Sequence, residues 1–183
     1  MLLLKTTMLI VYFDIETSNL NANYGVVLCA CFLVEGEKKV KTYRIDNYKG
    51  FKKDPANDKE LVLDIKKRIE EADILISYNG KKFDIPFINT RLAFWGIDTI
   101  RPPKHIDLCA IIRWHYRLSD YKLATASYFW QTKANKTIVD GMMWVRALTS
   151  KKAMDYIVKH CENDVKVLKE VFEKVKASVK YIR

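Results

Sequence analysis

"MLIVYFDIET", residues 8–17, joins six apolar residues, Met8 to Phe13, to two acids. A run with no polar break reads as a strand buried on both faces, as in a parallel α/β sheet. Asp14 and Glu16 follow at once, and side chains two apart on a strand project to the same face. Two carboxylates therefore converge at the end of a buried strand, where burial and like charge both oppose ionisation. Something has to compensate them.

Outward from this strand, "YGVVLCACFLVEGEKKVKTYRI" reads as two further strands joined at Glu35-Gly36, a hairpin signal. "DNYKGFKKDPANDKE" is a polar loop ending in Asn57 and, three residues on, Glu60, a capping-box pattern that opens a helix over about 58–72. "DILISYNG" is a short buried strand, followed by a helix through "IPFINTRLAFWG" that stops at Gly96. "HIDL" supplies a fifth strand; helices are expected near 107–117 and 121–130 and over 150–179. The last carries Met154, Ile157, Cys161, Val165, Leu168, Phe172 and Val175 as an apolar stripe. Three strands followed by alternating helices and strands make a mixed five-stranded α/β sheet flanked by helices.

At 183 residues the chain is expected to form a single domain, 1–183, with a substantial core. Cys29, Cys31, Cys109 and Cys161 show no metal-ligand spacing and read as reduced thiols of a cytoplasmic protein. "MLLLKTTML" is too short for a signal h-region, and Met8 is a candidate start. No apolar run approaches the ~20 residues of a membrane span. Thirty-two basic against 22 acidic residues give +10, which suggests a polyanionic partner, nucleic acid first. A Lys-rich thermophile surface is the alternative, with 24 Lys against 8 Arg and one Gln.

Singly, the acids have ordinary explanations. Asp14 and Glu16 can cap the turn after a strand, Asp84 before Ile85-Pro86 can be a helix N-cap, and Asp164 can be a solvated helix charge. Their shared context is more informative. If the strands before Asp14 and before "YNGKKFD" are parallel neighbours, their C-terminal ends share the crevice where ligands of open α/β sheets bind. Asp164 adjoins Val165 at the rim of the helical stripe and can be aimed at the same place. Four carboxylates there call for cations, and their hard oxygens suit Mg²⁺ or Mn²⁺.

"FDIET" (13–17), "NGKKFD" (79–84) and "HCEND" (160–164) resemble, in order and spacing, the three motifs of the DEDD 3′–5′ exonucleases. These belong to the ribonuclease H-like superfamily and include relatives in the exonuclease domains of family B DNA polymerases. The resemblance implies a ribonuclease H-like fold and hydrolysis of phosphodiester bonds from a 3′ end with two divalent metal ions. It implies that Asp14 bridges the ions, that Glu16 and Asp164 complete the site of the attacking water, and that Asp84 serves the second site. The third motif of the family is Tyr-x3-Asp or His-x4-Asp; here His160 stands at the tyrosine spacing. Residues i and i+4 of a helix differ by about 40°, so His160 and Asp164 share a face, with His160 farther from the apolar stripe and towards solvent or substrate. His160 is the candidate fifth catalytic residue and Tyr156 its understudy, while His105 and His115 read as structural.

For the substrate, the resemblance points to Asn79, Phe83 and the backbone at Thr17 as contacts of the terminal nucleotide, with Leu20 as a wedge between bases. Lys81, Lys82 and the lysines of 49–53 are candidate phosphate contacts; Trp95, Trp114, Trp130 and Trp144 are assigned to the core. The expected partner is single-stranded nucleic acid, DNA more than RNA. A structure-specific endonuclease on the same fold and a catalytically silent nucleic-acid-binding module are the rival readings.

Overall fold

Five strands, β1 (Ile10–Thr17), β2 (Val27–Val34), β3 (Lys41–Arg44), β4 (Ile74–Ser77) and β5 (Lys104–Asp107), form one sheet in the order β3-β2-β1-β4-β5. The structure is a computed structural model describing residues 8–101, 103–134 and 140–178. The readings of the "MLLLKTTML" leader and of the last residue of the 150–179 helix lie in whole or part outside the described residues. β1 is the central strand, which accounts for its unbroken apolar run. It pairs antiparallel with β2 and parallel with β4, and β5 extends the parallel half. The turn after β2 uses Gly36 at φ 84, with Glu37 N–H donating to Val34 O. β3 begins only at Lys41, so the hairpin connection is longer than the sequence suggested.

Among the described residues six α-helices accompany the sheet: α1 (Lys59–Glu70), α2 (Asp84–Phe94), α3 (Leu108–His115), α4 (Leu123–Phe129), α5 (Gly141–Arg146) and α6 (Lys151–Val175). Asp107, Asp140 and Ser150 cap α3, α5 and α6 by accepting from backbone N–H groups of the first turn. Gly96, at φ 68, closes α2: its N–H reaches Ala93 O and that of Ile97 reaches Leu92 O, a Schellman arrangement. At α1, Asn57 rather than a reciprocal capping box serves the first turn, its Oδ1 accepting from Lys59 N. Asp58 beside it is fully buried and accepts from Arg91 Nε and Nη2, Trp95 Nε1 and Val27 N. That set of donors compensates the buried charge and locks the start of α1 to α2 and β2.

α6 lies across β1 and β2. Tyr12 meets Phe172 edge to face at 5.7 Å, so the face of β1 that carries Tyr12, Asp14 and Glu16 is the one α6 covers. Val11, Phe13 and Ile15 of the opposite face are equally buried, so β1 is enclosed on both sides.

Candidate active site

The ladder between β1 and β4 stops at Tyr12–Ile76. Beyond it the strand ends part, and Ile15 N–H, past the last rung, is accepted by Asp84 Oδ1 at 3.2 Å. Asp84 is the first residue of α2 rather than its N-cap, which is Phe83, and its carboxylate is turned towards β1. Burial pushes the Asp84 carboxyl up to about 7; the Ile15 N–H works against this and the nearby Asp107 charge adds to it. Gly80 makes the approach possible. A Cβ there would stand 2.4 Å from Ser77 Oγ and 3.4 Å from Asp84 Oδ2.

Asp14 and Glu16 face α6 from β1. The Cys161 thiol, kept protonated by burial, donates towards the Asp14 carbonyl oxygen at 3.4 Å and Oδ2 at 3.6 Å. A bulge between Glu16 and Thr17 ends the regular pairing with β2. One turn apart on α6, His160 and Asp164 are both buried. His160 Nε2 lies 3.7 Å from Glu16 Oε1 and 3.7 Å from Asp164 Oδ2, bridging the carboxylates of β1 and α6. Of the two settings expected for His160, solvent or substrate, the solvent one is corrected: α6 packs on β1 and β2 closely enough to bury His160 beside Glu16. Tyr156 is 41% exposed at the surface. His105 sits apart, bonded to Ser77 Oγ at 2.7 Å, and burial pushes its pKa down to about 4, which keeps it neutral.

A model of the RNase_H_2 family, in the RNase H superfamily, matches residues 11–176. The chain belongs to the RNase H superfamily. The DNA polymerase of Methanocaldococcus jannaschii is 35% identical over 92 residues, covering 48% of this chain and 6% of that protein. DNA polymerase III PolC-type of Ureaplasma parvum is 29% identical over 121 residues, 56% of this chain and 8% of that one. The chain thus spans less than a tenth of either relative. The structure of the family B DNA polymerase from the hyperthermophilic archaeon Pyrobaculum calidifontis matches 93% of this chain and 25% of its own with a TM-score of 0.74 at 15% identity, a likeness of fold.

On this RNase H superfamily sheet Asp84 reaches the backbone of Ile15, Asp14 the Cys161 thiol, and His160 both Glu16 and Asp164, so α2 and α6 each bring a carboxylate towards the C-terminal end of β1. The carboxylate oxygens are the hard donors that Mg²⁺ or Mn²⁺ prefer. Among the described residues, however, no three His, Cys, Asp or Glu side chains converge as a ready-made ligand set. The contacts explain the spacing. His160 stands between two of the carboxylates, Asp84 is committed to Ile15 N, and Trp144 Nε1 donates to Glu16 Oε2 at 2.8 Å. The donor chemistry fits a divalent cation.

The substrate candidates lie beside the acids. Leu20, 81% exposed, and Phe83 line one hollow of about 250 Å³ together with Lys82 and Phe87. Thr17 is buried, its Oγ1 donating to Asn19 O, and Asn79 has φ 63. Two residues escaped sequence reasoning. Trp144, assigned there to the core, holds Glu16 and meets the His160 ring edge to face at 5.9 Å. Asp107 accepts from Asn79 N and Lys81 N and so fixes the turn that delivers Asp84. A strand-ending acid before an apolar helix is a visible cap signal, but nothing local announces its reach to residues 79–81. α5, a six-residue helix, gives no periodicity from which Trp144 could be placed.

Proposed function

We propose that residues 1–183 act as a 3′–5′ exonuclease domain of the cytoplasm, removing nucleotides from single-stranded nucleic acid, DNA in preference to RNA. The observation that carries this is that Asp84 of α2 bonds the backbone of β1 between Asp14 and Glu16, while His160 of α6 lies between Glu16 and Asp164, on an RNase H superfamily fold. The relatives named DNA polymerase and the +10 charge support a nucleic acid substrate. The hollow next to Asp84 in the chain, with exposed Leu20, the Phe83 ring and Lys82 in its walls, offers a terminal nucleotide an apolar surface for its base and a cation for its phosphate.

Asp14, Glu16, Asp84 and Asp164 would hold two divalent ions, Mg²⁺ or Mn²⁺. Bound there, such ions supply charge that activates water and stabilises the leaving oxygen of an in-line displacement. The side chains do the rest. His160 Nε2, between Glu16 and Asp164, is placed to take and hold a proton from an attacking water. Trp144 fixes one oxygen of Glu16, and Asn79, Phe83, Leu20 and the Thr17 backbone keep the terminal nucleotide in line with it.

The test is digestion of 5′-labelled and 3′-labelled DNA and RNA oligonucleotides with Mg²⁺ or Mn²⁺. A 5′ label should give a ladder shortening one nucleotide at a time, faster on DNA, while a 3′ label leaves at once as a mononucleotide. Internal cuts from the earliest times, or no hydrolysis with either ion, would overturn the proposal.

A further inference from the structure

A second hollow, of about 170 Å³, opens beside the first between the turn after β4 and helix α3. Its walls are Asn79 and Lys82 on one side and Ala110, Arg113 and Trp114 on the other, with Asp107 at the base. The α3 residues are spaced three and four apart and share one face; the small Ala110 leaves the room that Trp114 borders. The walls are tied together. Asp107 accepts from Asn79 N (2.8 Å) and Cys109 N (3.1 Å) through Oδ1 and from Lys81 N (3.1 Å) through Oδ2, so turn and helix are fixed before any ligand arrives. The one acid in the lining is thus occupied by backbone donors, and the other charges are the cations Lys82 and Arg113. The Arg113 guanidinium rests over the Tyr121 ring at 4.8 Å. Trp114 is 85% exposed, the reverse of the core role its residue type suggests.

Lys82 lines both hollows, so the two adjoin across its side chain. We infer that the second hollow binds the nucleotide preceding the 3′-terminal one, its base stacked on Trp114 and its phosphate between Lys82 and Arg113. The inference rests on the exonuclease reading and deepens it. A flat exposed ring next to two cations suits a base and its phosphate, because every base has a face to stack and every nucleotide carries the charge. Such a site is sequence-tolerant, since stacking on a ring and pairing a phosphate with cations do not depend on which base is bound.

Two probes separate the subsites: thymidine 5′-monophosphate, which fills one, and the tetranucleotide dT4, which reaches both. With the full chain in EDTA, Trp114→Ala should weaken dT4 binding roughly 5- to 100-fold and leave the mononucleotide within two-fold. Trp114→Phe should recover most of the loss. Arg113→Gln should lower the slope of log affinity against log salt for dT4 by about 0.7. If dT4 binds Trp114→Ala as it binds wild type, the subsite is wrong and the ring serves another contact, such as a protein partner. Equal loss of both probes in Trp114→Ala would also overturn it. Digestion of dT4 by wild type with Mg²⁺ keeps the two readings apart: digestion with an indifferent Trp114 sinks the subsite alone, and no binding with no digestion sinks the exonuclease reading.

Discussion

Asp84 pairs a carboxylate with a buried setting that favours its neutral form. Its carboxyl is raised to about 7, above the ordinary 3.8 that it regains on unfolding. Below about pH 3 it is protonated in both states and costs nothing; as pH rises towards 7 the unfolded chain releases the proton while the folded chain still binds it. Stability without metal therefore falls across that window. Asp84→Asn keeps an acceptor for Ile15 N but no charge. In EDTA it should raise Tm near pH 8 and leave it unchanged near pH 3. A Tm difference independent of pH, followed by thermal unfolding, would show that Asp84 is not held against its charge. The proposed role of His160 is tested at the same scale. His160→Ala should lower turnover about 10²–10⁴-fold and remove the acid limb of the pH profile. His160→Tyr, which restores the tyrosine spacing, should recover part of the rate with a flatter limb. Unchanged turnover in His160→Ala would shift the role to another group.

Among the elements, α5 is short and α6 long, and both bear on the same acid. The indole N–H of Trp144 donates to Glu16, which on the proposed function holds metal, and loss of an outer partner of a metal ligand typically costs 10–100-fold in metal affinity. Trp144→Phe keeps the ring against His160 and removes the N–H. Mn²⁺ titrated calorimetrically should bind this variant roughly 10- to 100-fold more weakly than wild type, with the apparent KM for oligonucleotide little changed. An unaltered Mn²⁺ affinity would mean that the bond to Glu16 is incidental. How much of this was legible follows element length. β1 announced itself by an unbroken apolar run, and α6 by a stripe from Met154 to Val175 that the structure buries throughout. The stripe also set His160 and Asp164 on one face. It could not give the depth of His160, which depends on how closely α6 meets β1. α5 has too few turns to show a period, so Trp144 was legible only in three dimensions.

In the whole molecule, topology brings together what sequence separates. β1 and β4 are parallel neighbours, so residues 14–16 and 84 share a crevice, as the alternation of strands and helices implied. The clamp from Asp107 to residues 79–81 spans two elements through backbone donors, and backbone donors leave no trace in side-chain pattern. The same holds for Asp58, which the sequence shows as one acid of a polar loop and the fold uses to join α1, α2 and β2. If the acids act as one site, their removal is not additive. The decisive measurement is the initial rate of mononucleotide release from a 5′-labelled single-stranded DNA with Mn²⁺, for wild type, Asp14→Ala, Asp84→Ala and the double variant, each checked by circular dichroism. Either single substitution is expected to reduce release to background, with no further loss in the double and the fold intact. A folded single variant that releases nucleotides within tenfold of wild type would contradict the assignment of these carboxylates to one catalytic site.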